Sequence, residues 1–245
     1  MLKFYKNLFS EYQKTFLGYG KNSFFENVYR LCAIIISPLA INLNPNFISL
    51  LSLLLGLMAF ALSFFYEEIS INIIIIFFLF SFILDFLDGL IARYQKKTSF
   101  YGRFIDGLYD IIVGGLLHII LFTYISKFNS NFFHTYFYLI IILFYPIQHL
   151  ILDRYSALAR WINETNKKKL KPYYRNIFLG KLTKLLFDFQ HLCIWLLLLN
   201  KMNYNYVIEA FFILSLCSSI LTFGIYLFLS NKYFSSTGNQ ADNND

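Results

Sequence analysis

Six stretches of this chain, roughly 47–66, 69–90, 104–126, 131–152, 185–200 and 206–230, are apolar almost without interruption, and they restrict its fold more than any other feature. A helix that crosses the hydrocarbon core of a bilayer needs about 20 mostly apolar residues. Lipid offers no water to satisfy backbone groups, and the runs lack the period-two alternation of a barrel strand, so helices are the only candidates. Only 14% of the 245 residues are charged, against about a quarter in soluble chains. A water-soluble enzyme is excluded, and 30 Phe and 19 Tyr exclude a disordered chain. The expected fold class is all-α: a polytopic membrane protein with a six-helix transmembrane bundle.

The few charges carry topology. Of 21 Lys and Arg, 19 fall in residues 1–46, 91–103, 153–184 and the C-terminal tail, leaving only Lys127 and Lys201 in the opposite connections. By the positive-inside rule both termini and the two basic loops face the cytoplasm. The net charge of +7 therefore points to lipid headgroups rather than nucleic acid. Cys32, Cys193 and Cys217 lie far apart with no CxxC spacing and read as small hydrophobes.

Three parts follow. In residues 1–28, Phe4, Leu8, Phe9, Tyr12, Phe16 and Leu17 recur near helical spacing among lysines, which predicts an N-terminal amphipathic interfacial helix. Residues 29–232 form the six-span membrane domain. Residues 233–245 are polar and predict a disordered tail.

Acids inside spans are costly, and each is a functional candidate. Asp85, Asp88, Asp106 and Asp110 fall within 26 residues. The first two are i, i+3 at the cytoplasmic end of the second span; the last two are i, i+4 at the start of the third. A short loop returns the third span antiparallel to the second, so four carboxylates converge near the inner surface. Packed together they repel unless a cation neutralises them. An all-oxygen environment with no Cys or His nearby in sequence suits magnesium or manganese, and two such ions clamp a phosphoryl centre. Gly89 and Gly102 leave the helix backbone open to a diphosphate, Ala92 keeps that face shallow, and Arg93 can donate a bidentate pair to phosphate.

Residues 85–110, DFLDGLIARYQKKTSFYGRFIDGLYD, carry D-x2-D-G-x2-A-R-x8-G-x3-D-x3-D. This resembles the signature of the CDP-alcohol phosphatidyltransferases, with all eight fixed positions met. Upstream, Asn44-Pro45-Asn46-Phe47-Ile48-Ser49 is similar to the Pro-Asn step followed by Ser or Thr in many members. The resemblance implies transfer of a phosphatidyl group from CDP-diacylglycerol to a small alcohol, with release of CMP. It implies that Asp85, Asp88, Asp106 and Asp110 hold two Mg2+ or Mn2+ ions, that Asp110 also takes the hydroxyl proton, and that Asn46, Ser49, Gly89, Ala92, Arg93 and Gly102 line the CDP site. It further implies a homodimer, and with the composition it suggests a bacterial inner membrane with the active site facing the cytoplasm.

The acceptor pocket is less legible. Members using phosphorylated acceptors add basic residues on later helices, and Arg154 and Arg160 are the candidates here, although positive-inside anchoring also explains them. Gln148, His149, Asp153, Asp188 and His191 are further polar positions. The histidines, with His118, read as interhelical hydrogen-bonding groups, and Asp188 as an i, i+4 partner of Lys184. Two other functions compete: a CDP-amino-alcohol:diacylglycerol phosphotransferase, and, in a different class, a divalent-cation transporter. Membrane prenyltransferases also use DxxD motifs, but place the two acidic motifs far apart in sequence.

Overall fold

The computed structural model describes residue 10 and residues 23–65, 70–128, 132–166, 178–199 and 204–241, which contain seven helices and no strand. These are α1 (Phe24–Ala40), α2 (Pro45–Ser63), α3 (Ile71–Tyr94), α4 (Phe100–Phe128), α5 (Phe132–Asn166), α6 (Phe178–Leu199) and α7 (Tyr204–Ala241).

Helix starts follow local chemistry. Ser23 and Glu26 make a capping box at α1, each side chain accepting from the other's backbone N–H at 3.2 Å. Asn44 caps α2 by accepting from the Asn46 N–H at 3.0 Å, with Pro45 in the first turn, where its missing donor costs nothing. Ser70 caps α3. The connection from α3 to α4 is braced by Gln95, whose side-chain amide donates to the Ile41 and Leu43 carbonyls at 2.6 and 2.9 Å.

Among the described residues each of the six apolar stretches is met by one helix, α2 to α7. Five of these helices, α2, α3, α4, α5 and α7, are long and apolar enough to cross a membrane. Helix α6, which carries the expected fifth span at 185–200, is not among these five over its described residues. The sequence assigns no helix to residues 29–40, and α1 crosses the expected boundary at residue 28. Its capping box before an apolar run was a legible signal that the length of the neighbouring spans overshadowed. The interfacial helix expected over 1–28 lies outside the described residues, apart from residue 10 and residues 23–28. At the other end α7 runs to Ala241, well into the stretch 233–245 read as a disordered tail. That stretch has no proline and one glycine, Gly238, so nothing in it stops a long helix from continuing.

Helix α3 is central, packing on α1, α2, α4 and α6; α4 also meets α2, α5 and α7. Small and polar residues let helices approach where apolar lipid provides little drive for association. Ser52 of α2 and Ser81 of α3 exchange hydroxyl-to-carbonyl bonds at 2.9 and 2.8 Å. Gly56 lies so close to α4 that a Cβ there would stand 2.9 Å from Val113. Ser215 of α7 links to His118 of α4 at 3.1 Å and to Gln190 of α6 at 2.6 Å, and Ser219 donates to Gln148 at 2.6 Å. Around this core Ile73, Ile76, Phe80, Leu143, Ile213, Ile220 and Phe228 are exposed, as lipid-facing side chains would be.

Candidate metal and phosphate site

The C-terminal turns of α3 and the N-terminal turns of α4 meet at one end of the bundle, and their acids meet with them. Asp85, Asp88 and Asp106 each offer a carboxylate oxygen within 4.8 Å of the others. Asp85 also lies within hydrogen-bond reach of Asp110 and of Asp106. The i, i+3 and i, i+4 spacings therefore act as the helical period requires. Asp88 is the most enclosed of the four and Asp110 the most open, so the cluster has a closed floor and an accessible side. Three oxygens at this separation, hard and anionic, fit a divalent cation such as Mg2+ or Mn2+.

Ser49 reaches the cluster from α2: its hydroxyl donates to Asp88. Asn46, one turn earlier, faces Gly102, where a Cβ would sit 3.4 Å from the Asn46 amide oxygen. Gly102 is held by its own N–H, which donates to the Ser99 hydroxyl at 2.9 Å. Gly89 lies beneath the Arg93 guanidinium, 3.2 Å from where a Cβ would be. Asn46, Ser49, Gly89 and Gly102 thus border the four acids on α2, α3 and α4, with Arg93 exposed above Gly89. Ala92 lies one position before it on α3, half-buried.

The positions on α5 separate. Arg160 folds back along its own helix, donating from Nε to the Ser156 carbonyl at 3.1 Å and from Nη2 to the Ser156 hydroxyl at 2.8 Å. Arg154 is exposed. Asp153 faces α4: a Cβ on Gly107 would lie 3.4 Å from its Oδ2. Farther along, the Tyr145 hydroxyl occupies the space a Cβ would need at Gly114. The pairs 107/153 and 114/145 give an antiparallel register in which Tyr145, His149 and Asp153, spaced by four, form one stripe opposite Gly107, Asp110 and Gly114. Both glycines that flank Asp110 on this face serve close approach of α5. The tyrosine has no sequence signal, because an aromatic in an aromatic-rich span looks like packing.

The remaining polar residues are structural. His118 bonds the Gly114 carbonyl at 2.7 Å and Ser215 at 3.1 Å, and His191 bonds the Tyr29 hydroxyl at 2.7 Å. The His149 ring lies tilted against Tyr145 with ring centroids 4.6 Å apart. Asp188, expected to pair with Lys184, accepts from the backbone N–H groups of Phe24 and Phe25 at 3.0 and 2.9 Å. It closes the N-terminus of α1, a partner 163 residues away that spacing rules cannot find.

The family described as CDP-alcohol phosphatidyltransferase matches residues 42–224, a span holding every site residue named above. A curated relative from Wigglesworthia glossinidia brevipalpis, "CDP-diacylglycerol--glycerol-3-phosphate 3-phosphatidyltransferase", is 32% identical over 162 residues, covering 65% of this chain and 75% of the relative. No solved structure gives a significant match.

Proposed function

The chain belongs to the CDP-alcohol phosphatidyltransferase family, and from that premise we propose that it transfers a phosphatidyl group from CDP-diacylglycerol to glycerol-3-phosphate with release of CMP. The observation that carries the proposal is the convergence of Asp85, Asp88 and Asp106 within 4.8 Å, with Asp110 beside them. The direction and the acceptor rest on the named activity of the relative. The family match leaves the cation-transporter reading without support, and the relative's donor disfavours the amino-alcohol direction.

In this reading Asp85, Asp88, Asp106 and Asp110 hold two divalent cations, Mg2+ or Mn2+. When bound, these would neutralise the diphosphate and stabilise the charge that develops on the phosphoryl group and on departing CMP. Ser49 fixes the rotamer of Asp88 through its hydrogen bond. Gly89 and Gly102 let the CDP moiety approach the helix backbone beside Arg93, which donates to a phosphate oxygen, and Asn46 borders it. Asp110, the most accessible carboxylate, takes the proton from the attacking hydroxyl as general base. The hydroxyl oxygen bonds to the phosphorus nearer the lipid, and the bond from that phosphorus to CMP breaks. Acyl chains stay among the spans while the cytidine and the alcohol enter from water. We place this end of the bundle at the cytoplasmic face of a bacterial inner membrane, α6 as the sixth span, and the protein as a homodimer.

The test is CMP release from labelled CDP-diacylglycerol by purified protein in detergent, with Mg2+ or Mn2+ and a panel of glycerol-3-phosphate, serine, inositol and inositol phosphate. Release with glycerol-3-phosphate alone supports the reading. Release only with another alcohol reassigns the acceptor, and product only from CDP-choline and diacylglycerol reverses the direction.

A further inference from the structure

One acid on this face has no part in the mechanism above. Asp153 is on α5, outside the signature segment, and outside the metal-suited group formed by Asp85, Asp88 and Asp106 among the described residues. Its carboxylate lies against the turn of α4 between Asp106 and Asp110, admitted by the missing side chain of Gly107. It is close enough to act electrostatically on both of those acids. A fifth negative charge beside four others destabilises the protein unless something else uses it. It is also exposed on the open side of the cluster, as Asp110 is.

The neighbours of Asp153 point to what that use is. A carboxylate only accepts hydrogen bonds, so its ligand must offer an O–H or N–H. The Arg160 guanidinium, drawn back over Ser156, acts electrostatically on Asp153. It lies about one turn, roughly 5 Å along the helix axis, beyond Asp153. An acceptor for hydroxyls and a cation for phosphate thus stand one short molecule apart, next to the carboxylate assigned as base.

We propose that Asp153 selects the acceptor alcohol by taking a hydrogen bond from the hydroxyl adjacent to the one that attacks, so that the site prefers a vicinal diol phosphate to a simple alcohol phosphate. This deepens the transferase reading and rests on it. With glycerol-3-phosphate, Asp110 faces the terminal hydroxyl, Asp153 the middle one, and Arg160 the phosphate. Asp153 is then a specificity-determining residue, which leaves the metal ions to the other four acids.

The experiment compares kcat/KM for glycerol-3-phosphate and for 3-hydroxypropyl phosphate, which lacks only the middle hydroxyl, in wild type, Asp153→Ala and Asp153→Asn. A hydrogen bond to a charged group predicts that wild type prefers the diol by about 10- to 100-fold. Asp153→Ala should abolish that preference, mainly through a higher KM for glycerol-3-phosphate, with the KM for CDP-diacylglycerol and the Mn2+ activation curve unchanged. Asp153→Asn, which keeps an accepting oxygen and nearly the same shape, should retain part of the preference and decides the matter if the alanine variant does not fold. A preference unchanged in both variants overturns the assignment. A shifted Mn2+ curve with equal loss on both substrates also overturns it, because Asp153 would then serve the metals. Wild type that releases no CMP with any alcohol sinks the transferase reading itself, a result distinct from either.

Discussion

The Ser49 hydroxyl on α2 donates to the Asp88 carboxylate on α3, joining residues 39 positions apart at the most enclosed corner of the acidic cluster. A buried carboxylate that serves a metal is turned by whatever else it binds, and removing such an outer partner typically costs about 10- to 100-fold in metal affinity or activity. Ser49→Ala should therefore move the Mn2+ activation curve to higher concentration by about 10-fold, with near-normal turnover once the metal is saturating. A curve that coincides with wild type would remove Ser49 from the metal site.

Asp110 is the position where metal binding and proton transfer can be separated. Asp110→Asn keeps the shape and an oxygen ligand but cannot take a proton. General-base removal costs about 10²- to 10⁴-fold, so CMP release should fall by at least that much. Binding of the CDP donor, followed by protection against thermal unfolding, should persist. Turnover near the wild-type value in a correctly folded variant would remove Asp110 from the base role.

Gly114 and Gly115 are neighbours on α4 with opposite surroundings. A Cβ at Gly114 would overlap the Tyr145 hydroxyl, whereas a Cβ at Gly115 meets nothing within 4 Å. Overpacking a helix interface costs about 1–3 kcal/mol, while Gly to Ala in an open helix position gains about 1 kcal/mol. Gly114→Ala should unfold at lower temperature in detergent and also lose activity, because it displaces Tyr145 from the α5 stripe opposite Asp110. Gly115→Ala should match or exceed wild type in both. Similar melting temperatures for the two variants would contradict the α4–α5 register.

This register marks the boundary between what residue spacing reveals and what only packing reveals. The positions of α2 to α7 follow from apolar runs, and the four acids converge because i, i+3 and i, i+4 positions share helix faces across a short loop. Ser49 could be placed near the site only through the upstream resemblance, since a serine four residues into an apolar span carries no signal of its own. Asp153 and Tyr145 come from a helix whose register against α4 is set by two glycines, and no local pattern encodes which turns meet. Helix α1 was missed for a different reason. Its capping box is a short-range signal, but the apolar content of α1 is interrupted by Glu26, Asn27 and Arg30 and does not stand out beside continuous spans.

The attachment of α1 gives the last prediction. Asp188 accepts from the Phe24 and Phe25 N–H groups at 3.0 and 2.9 Å, and three residues on, His191 meets the Tyr29 hydroxyl at 2.7 Å. Tyr29 in turn stacks on Phe86, the residue after Asp85, with ring centroids 6.0 Å apart. Helix α1 is thus clamped to α6 at its first two turns and leans on the metal-bearing end of α3. Asp188→Ala leaves two backbone donors without their carboxylate and removes an anion from a helix N-terminus, together about 1–3 kcal/mol. For a chain of this size that lowers the melting temperature by a few degrees, at roughly 2–4 °C per kcal/mol. Asp188→Asn keeps an accepting oxygen and should lose less than half as much. Because the clamp positions α1 rather than the metal ligands, the Mn2+ activation curve should stay in place in both variants. A shifted curve without a change in melting temperature would mean that Asp188 belongs to the site rather than to the frame around it.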